Sequence, residues 1–201
     1  MATDSVPTGS PGTILVCVRG NSGSGKTSIA RELRRRHGRG CALVEQDYLR
    51  RIVLRERDRP GGAAPALIGQ TVRFALDHGY HVVLEGILHA SLYRSMLTDL
   101  RDGHRGPSLF CYLDVSLPEA LHRHLTRPQV SEFTAEQMSG WYAAHDVLGW
   151  PGELVLPEAW LSGGRHVAGA RRRLAEVRRS AGLAPPIGAH LWLRGSPQSW
   201  P

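Results

Sequence analysis

Several features are scarce in this sequence, and each scarcity excludes a class of protein. The three cysteines, Cys17, Cys41 and Cys111, lie in short apolar runs and are too few for a disulfide framework, so we expect buried thiols. No apolar run approaches the roughly 18 residues that a membrane span needs. Residues 1–12 lack the charged and apolar segments of a secretion signal. We therefore expect a cytoplasmic protein with no membrane partner.

Lysine is scarcer still, because Lys26 is the only one among 25 basic residues. The formal net charge of +7 suits a polyanionic partner such as nucleic acid. Aromatic residues make up only 6% of the chain and do not alternate with the arginines, so solvated helix faces explain the charge better. Nucleic acid stays an open partner, and a small molecule is the expected one.

Short apolar runs alternate along the chain with stretches of helical periodicity. The predicted strands are Ile14–Arg19, Cys41–Glu45, His81–Glu85, Leu109–Asp114 and Glu153–Leu156. The predicted helices are Thr27–His37, 47–57, Ala66–His78, Leu92–Leu100, Pro118–Leu125, Phe133–Leu148 and Val167–Arg179. This alternation predicts an α/β fold, a doubly wound five-stranded parallel sheet with its ligand at the carboxyl ends of the strands.

The 201 residues fit one domain with short appendages. We predict a flexible start at residues 1–12, a domain over 13–180, and a tail over 181–201 that contains proline and tryptophan. The sequence leaves open whether the tail packs on the domain.

A phosphate-binding loop follows the first predicted strand. The residues Gly20, Asn21, Ser22, Gly23, Ser24, Gly25, Lys26, Thr27 and Ser28 contain a complete G-x-x-x-x-G-K-T between strand and helix. Glycines let successive backbone N–H groups point at phosphate oxygens, and the helix N-terminus adds partial positive charge. Lys26 is expected to reach the β- and γ-phosphates and Thr27 to ligate magnesium. The predicted cofactors are ATP and Mg²⁺.

The rest of the chain decides among the classes of protein that use such a loop. A GTPase needs the guanine motif Asn-Lys-x-Asp, which is excluded because Lys26 is the only lysine. A large ATPase would have a long second half and an apolar strand that ends in Asp-Glu, and neither is present. A short chain with this loop near its start favours a kinase of the nucleoside-kinase type.

Candidate residues for the phosphoryl acceptor follow the second and third strands. Asp47 is predicted to take the proton of an acceptor hydroxyl, and Arg50, one turn later, to hold the acceptor or the developing charge. The alternative role for Asp47 is that of a helix cap. Glu85 is predicted to bind the metal or the acceptor, with Gly86 leaving room for a ligand. The alternative for Glu85 is a structural carboxylate paired with arginine.

Two arginines and two aromatic residues come later in the chain. Arg123 and Arg127 share one helical face, and on a lid, predicted over about 126–136, they would neutralise the transferred phosphoryl group. A solvated helix face is the alternative. Trp141 and Tyr142 either line the acceptor pocket or fill the core.

Taken in order, these motifs resemble the P-loop small-molecule kinase group. That group includes chloramphenicol phosphotransferase, polynucleotide 5′-hydroxyl kinases, gluconate and shikimate kinases, and zeta toxins. The resemblance rests on Gly20–Thr27, Asp47-Tyr48-Leu49-Arg50, Val82–Gly86, Tyr112–Val115, Arg123 and Arg127, and it covers roughly residues 13–180. It implies a five-stranded parallel core, ATP with magnesium, and in-line transfer to a hydroxyl. In this likeness Asp47 is the base, Arg50 contacts acceptor or phosphate, and Arg123 and Arg127 belong to the lid.

One feature departs from the group, because some members end the third strand in Asp-Asp or Asp-Thr where this chain has Glu85-Gly86. The expected protein is an ATP- and Mg²⁺-dependent phosphotransferase acting on a hydroxyl of a small molecule, such as an antibiotic or a nucleoside, as a monomer or homodimer. The alternatives are a polynucleotide 5′-hydroxyl kinase and a zeta-toxin-like sugar-nucleotide kinase.

Overall fold

The computed structural model describes residues 6–125 and 134–160, in which strands and helices alternate. The strands are β1 (Leu15–Gly20), β2 (Cys41–Glu45), β3 (His81–Gly86), β4 (Ser108–Asp114) and β5 (Leu154–Pro157). The helices are α1 (Lys26–His37), α2 (Ala64–Asp77), α3 (Ala90–Gly103), α4 (Leu117–Leu125) and α5 (Ala135–Trp141), with a π-helical turn at Tyr48–Val53 and a 3₁₀ turn at Glu158–Trp160.

The five strands form one parallel sheet, which confirms the predicted fold class, and their order is β2-β3-β1-β4-β5. Its central strand β1 is buried on both faces, and its side chains alternate between two hydrophobic clusters. Leu15 and Cys17 pack with α2 and α3, whereas Val16 and Val18 pack with α1 and α4. This double burial explains why the strand reads as a continuous apolar run. All three cysteines are buried as free thiols, which confirms that expectation.

The helix predicted over 47–57 is wrong, because the helical segment is shorter and is not capped by the Asp47 side chain. A π-helical turn covers Tyr48–Val53, with the Leu54 N–H bonded to the Leu49 carbonyl at 3.0 Å. Asp47 occupies the position before this turn, but its side chain makes no capping hydrogen bond. Arg55, at φ 53°, has left-handed backbone and takes the chain away from helical geometry. The segment therefore makes a single tight turn at the end of β2.

The helix predicted over Phe133–Leu148 is too long, because α5 ends at Trp141. Thr134 caps its start through a reciprocal pair of hydrogen bonds with Gln137. Beyond Trp141 some backbone N–H groups bond to distant parts of the chain instead of to a preceding helical turn. The Ala143 N–H, for example, donates to the Asn21 side chain at 3.1 Å.

Some predicted features lie outside the described residues. These are the helix Val167–Arg179, the tail 181–201, Arg127 and most of the lid predicted over 126–136. In the part of the chain that the structure describes, no helix is both long enough and apolar enough to cross a bilayer.

Residues 8–13, which precede β1, are tied to the end of α3 by hydrogen bonds. Thr8 is 1% exposed and its N–H donates to the Gly103 carbonyl at 2.8 Å. His104 lies between two hydroxyl groups, 3.0 Å from Thr13 Oγ1 and 2.8 Å from Ser108 Oγ. Burial lowers the pKa of His104 to about 4, against a smaller opposing effect of the Asp77 carboxylate. His104 is therefore neutral in the folded protein at neutral pH.

We predict that His104 makes stability depend on pH. As pH falls from 6.5 towards 4, His104 becomes protonated in the unfolded chain but stays neutral in the folded protein. The free energy of unfolding therefore decreases in that window. A His104→Gln variant should show a flatter decrease, measured by urea unfolding at several pH values. The exposed His122→Gln serves as control and should keep the wild-type slope; equal slopes in all three proteins would contradict the prediction.

Candidate active site

The loop Gly20–Thr27 joins β1 to α1, the position predicted from its spacing. Gly23 has φ 85°, and a Cβ there would meet the Ala120 carbonyl oxygen at 2.6 Å, so only glycine lets the loop lie against α4. Gly25, at φ 96°, has left-handed backbone immediately before α1. The chain turns there so that the first N–H groups of α1 lie at the loop, where they can bind an anion.

The Asn21 side chain fastens this loop to the segment that follows α5. Its amide nitrogen donates to the Ala143 carbonyl at 2.8 Å, and its oxygen accepts from the Ala143 N–H at 3.1 Å. The amide also lies 3.3 Å from the Tyr112 hydroxyl. Asn21 was predicted as a nucleotide contact, and the structure assigns its side chain to holding the loop in place.

The other side chains of the loop differ in their exposure. Ser24 is buried, Ser22 is half-buried, and Ser28 is exposed on α1. The Ser24 carbonyl accepts a long hydrogen bond of 3.4 Å from Arg123 Nη1, while Glu119 holds Arg123 Nε at 2.6 Å. The structure therefore brings Arg123, one of the two predicted lid arginines, to the loop.

Glu85 meets Thr27 at the carboxyl edge of the sheet. The Thr27 hydroxyl lies 3.2 Å from both carboxylate oxygens of Glu85 and donates to that carboxylate. Glu85 is 4% exposed, and its burial raises the pKa of this carboxyl. The Lys26 ammonium acts in the opposite direction, and Asp47 adds to the rise. Lys26 of the loop and Asp47 after β2 thus both act on the charge of Glu85 in β3.

The donor set at Thr27 and Glu85 fits a magnesium ion held jointly with a nucleotide. Both side chains offer hard oxygen atoms, and Mg²⁺ takes one or two such protein ligands together with phosphate oxygens and water. Among residues 6–125 and 134–160 no group of three or more His, Cys, Asp and Glu side chains forms a closed metal cage. The arrangement therefore suits a metal that arrives with its nucleotide.

Asp47 and Arg50 lie at the end of β2 and pair with each other. Arg50 Nη2 is 2.7 Å from Asp47 Oδ1, and the Arg50 side chain is only 15% exposed. The Asp47 side chain is 57% exposed, so its second oxygen is accessible to a ligand from solvent. A carboxylate held by a guanidinium at this edge can accept a proton from a hydroxyl.

Two predictions about space around the acceptor have structural answers. Gly86 was expected to leave room for a ligand, but a Cβ at this position would collide with the Gln46 side chain, so Gln46 takes that room. Trp141 packs against the hydrophobic cluster that contains Val16 and Val18. The Tyr142 hydroxyl donates to the Val115 carbonyl at 3.0 Å. Substrate binding by Trp141 and Tyr142 stays a prediction.

A buried arginine in β1 was missed by the sequence analysis. Arg19 is 0% exposed, and its guanidinium donates twice to the Leu88 carbonyl, at 3.1 and 2.9 Å. It also binds Asp146 Oδ2 at 3.0 Å and Glu153 Oε1 at 3.2 Å. A charged residue in an otherwise apolar strand, directly before Gly20, was the available signal.

The acceptors of Arg19 in turn order the chain around them. Asp146 Oδ2 accepts the Ala90 N–H at 2.9 Å, at the start of α3. Glu153 Oε2 accepts the N–H groups of Leu148 and Gly149 at 2.7 and 2.8 Å. Arg19 therefore joins the loop after β3 to the segment between α5 and β5.

Comparison with known proteins gives one family and many similar folds. The family model AAA_33, described as an AAA domain, matches residues 15–148. No match was found among curated proteins.

Similar solved structures include three proteins that match this chain over nearly their own whole length. The APS kinase of Mycobacterium tuberculosis is 16% identical with a TM-score of 0.59, and covers 86% of this chain and 99% of its own. A gluconokinase from Sinorhizobium meliloti is 21% identical with a TM-score of 0.59, covering 87% and 95%. The Deinococcus radiodurans tunicamycin resistance protein is 16% identical with a TM-score of 0.53, covering 86% and 97%. These likenesses show the fold, and they agree with the resemblance to P-loop kinases.

We predict that Arg19→Met destabilises the protein by about 3–5 kcal/mol, because it leaves two carboxylates and two carbonyls without their charged partner. Urea unfolding measures this change. Arg31→Met is the matched control, since Arg31 pairs with Glu45 but is 65% exposed, and it should cost less than about 1 kcal/mol. Equal losses in the two variants would contradict the central role of Arg19.

Proposed function

The chain belongs to the AAA_33 family of AAA domains, and on that premise we propose that it transfers the γ-phosphate of ATP to a hydroxyl of a small molecule. The observation that carries the proposal is the contact of the Thr27 hydroxyl with the buried Glu85 carboxylate at the carboxyl edge of the sheet, with Lys26 of the loop and Asp47 after β2 near enough to act on the pKa of Glu85. The first three suit a nucleotide and its metal, and the fourth suits an acceptor.

The loop and α1 bind the triphosphate. Backbone N–H groups after Gly25 donate to its oxygens, and Lys26 neutralises charge on the β- and γ-phosphates. Thr27 and Glu85 would hold the metal ion, with the Thr27 hydroxyl then turning an oxygen lone pair towards it. When bound, magnesium neutralises charge on the phosphate oxygens.

Asp47 acts on the acceptor. Its carboxylate takes the hydroxyl proton as the acceptor oxygen forms a bond to the γ-phosphorus and the bond from that phosphorus to the bridging oxygen breaks, so ADP leaves. Arg50 holds Asp47 from one side at 2.7 Å, and in this proposal it would also contact the acceptor or the phosphoryl group. Arg123, fixed by Glu119 beside the Ser24 carbonyl, supplies positive charge from the side of the loop.

Lys26→Ala and Asp47→Asn should each lower phosphoryl transfer by about 100-fold or more, because the first removes charge stabilisation and the second the base. The measurement is product formation with Mg²⁺ and ATP. The two variants should differ in one respect: Asp47→Asn keeps nucleotide affinity, whereas Lys26→Ala loses it.

Asp102→Asn is the matched control, because Asp102 is an exposed carboxylate paired with a neighbouring arginine on α3. It should leave transfer unchanged. An Asp47→Asn enzyme with full activity would disprove the assignment of the base, and unaltered nucleotide binding in Lys26→Ala would disprove that of the loop.

The acceptor is found with a panel of hydroxyl compounds incubated with protein, Mg²⁺ and ATP, with product masses scanned for one added phosphate. Nucleosides, nucleoside antibiotics, aminoglycosides, chloramphenicol, sugar acids and a 5′-hydroxyl oligonucleotide belong in the panel. A phosphorylated small molecule that is not formed by Lys26→Ala supports the proposal. Phosphorylation of the oligonucleotide alone, with steeply salt-dependent binding, would replace it by a polynucleotide kinase.

A further inference from the structure

A network of buried polar groups lies behind Arg50, between the end of β2, the loop after the π-helical turn, and α3. Gln46 is 1% exposed and fills the space beside Gly86. Its oxygen accepts the Leu88 N–H at 2.9 Å, and its nitrogen donates to Asp58 Oδ2 at 3.3 Å. Both the oxygen and the nitrogen of the Gln46 amide are thus hydrogen-bonded. Gln46 directly precedes Asp47.

Asp58 is the centre of this network. The Tyr93 hydroxyl donates a short hydrogen bond to Asp58 Oδ1, and Tyr93 is 0% exposed on α3. Burial and the hydrogen bond to Asp58 raise the pKa of Tyr93, so that it keeps its proton. With Oδ1 bound to Tyr93, Asp58 Oδ2 lies towards Gln46 and Arg50.

The three nitrogens of the Arg50 guanidinium face three different groups. Nη2 binds Asp47 Oδ1 at 2.7 Å, and Nη1 donates to the Glu56 carbonyl at 3.2 Å. Nε is buried and makes no hydrogen bond within the described residues, and Asp58 Oδ2 lies 3.4 Å from it. Arg50 therefore stands between two carboxylates, one exposed and one held rigidly from behind.

We propose that Asp58 is a positioning residue for phosphoryl transfer: it holds the Arg50 guanidinium in the orientation in which that group faces Asp47. This inference rests on the proposed function for its catalytic meaning. Without the negative charge behind it, Arg50 would keep only Asp47 and one carbonyl, and its long side chain could turn to solvent. Within the described residues, the side-chain hydrogen bonds and ion pair of Asp58 are with Gln46, Tyr93 and Arg50 and not with the phosphate loop, so nucleotide binding should not depend on it.

The alternative is that Asp58 only fastens its loop to α3 through Tyr93. Three variants separate the two roles. Asp58→Asn removes the charge that Arg50 meets, Asp58→Glu restores a charge, and Tyr93→Phe removes the fastening bond but leaves the carboxylate facing Arg50. Each is first checked by thermal unfolding, so that a loss of folding is not taken for a loss of positioning.

The direct test follows the Nε–H signal of Arg50 in ¹H–¹⁵N spectra, assigned by its absence in Arg50→Lys. We expect a slowly exchanging signal in the wild type and in Tyr93→Phe, its loss or broadening in Asp58→Asn, and its return in Asp58→Glu. An unchanged signal in Asp58→Asn, or equal loss in Asp58→Asn and Tyr93→Phe, would overturn the proposal. This measurement needs no acceptor, so it decides the role of Asp58 even if no transfer activity is found.

The kinetic test uses the acceptor identified by the panel, with Mg²⁺ and ATP. Asp58→Asn should raise the acceptor KM or lower kcat by about fivefold, as expected for a partly buried ion pair, while the Kd for ATP is unchanged. In an Arg50→Gln background the same substitution should have no further effect. Additive losses would overturn a role through Arg50, whereas absence of transfer in the wild type would count against the proposed function alone.

Discussion

Arg19 can lie at the centre of a buried sheet only if acceptors surround its guanidinium. Every one of those acceptors is brought in from another part of the chain: the Leu88 carbonyl after β3, the carbonyl and carboxylate of Asp146 after α5, and the Glu153 carboxylate before β5. The loss of hydration at a fully buried charge is large, and it is offset only when the pairing is complete. This requirement helps to fix the irregular segments of the fold, whose side chains Leu88, Leu148 and Trp150 also pack in or against one hydrophobic cluster. The phosphate loop begins at Gly20, directly after Arg19, so the same interaction holds the start of the loop.

The carboxyl edge of the sheet concentrates opposing charges in a small volume. Glu85 is buried beside Thr27, where desolvation and the nearby Asp47 disfavour its ionisation and Lys26 favours it. Lys26 is the only lysine among the 25 Lys and Arg residues, and it stands at the loop, where a compact ammonium would act on a phosphate as a point charge. Arginines occupy the rim instead, where Arg50 and Arg123 are each held by a carboxylate. In the proposed function, the charges of nucleotide and metal would thus meet fixed charges whose positions are already set.

The sheet and the phosphate loop could be predicted because their signals are local. A strand buried on both faces needs an unbroken apolar run, and a loop that curls around phosphate needs glycine at set spacings. The predicted helix Phe133–Leu148 was too long, because distant hydrogen-bond partners compete with the helical ones after Trp141. Beyond Trp141 the chain has helical periodicity, yet Ala143 bonds to Asn21 and the Asp146 N–H bonds to the Tyr112 hydroxyl. Each of these hydrogen bonds joins residues far apart in sequence, so no local sequence pattern predicts it.

The sequence by itself determined the alternation of strands and helices, the place of the phosphate loop, and the residue types available for the chemistry. Those features follow from side-chain periodicity and backbone sterics, which act within a few residues. Only the tertiary structure decided which partner each polar group takes: Gln46 and not a ligand beside Gly86, Asp58 behind Arg50, and two carboxylates around Arg19. A buried polar group must find its partner wherever the fold brings one near, and that pairing is settled in space and not along the chain.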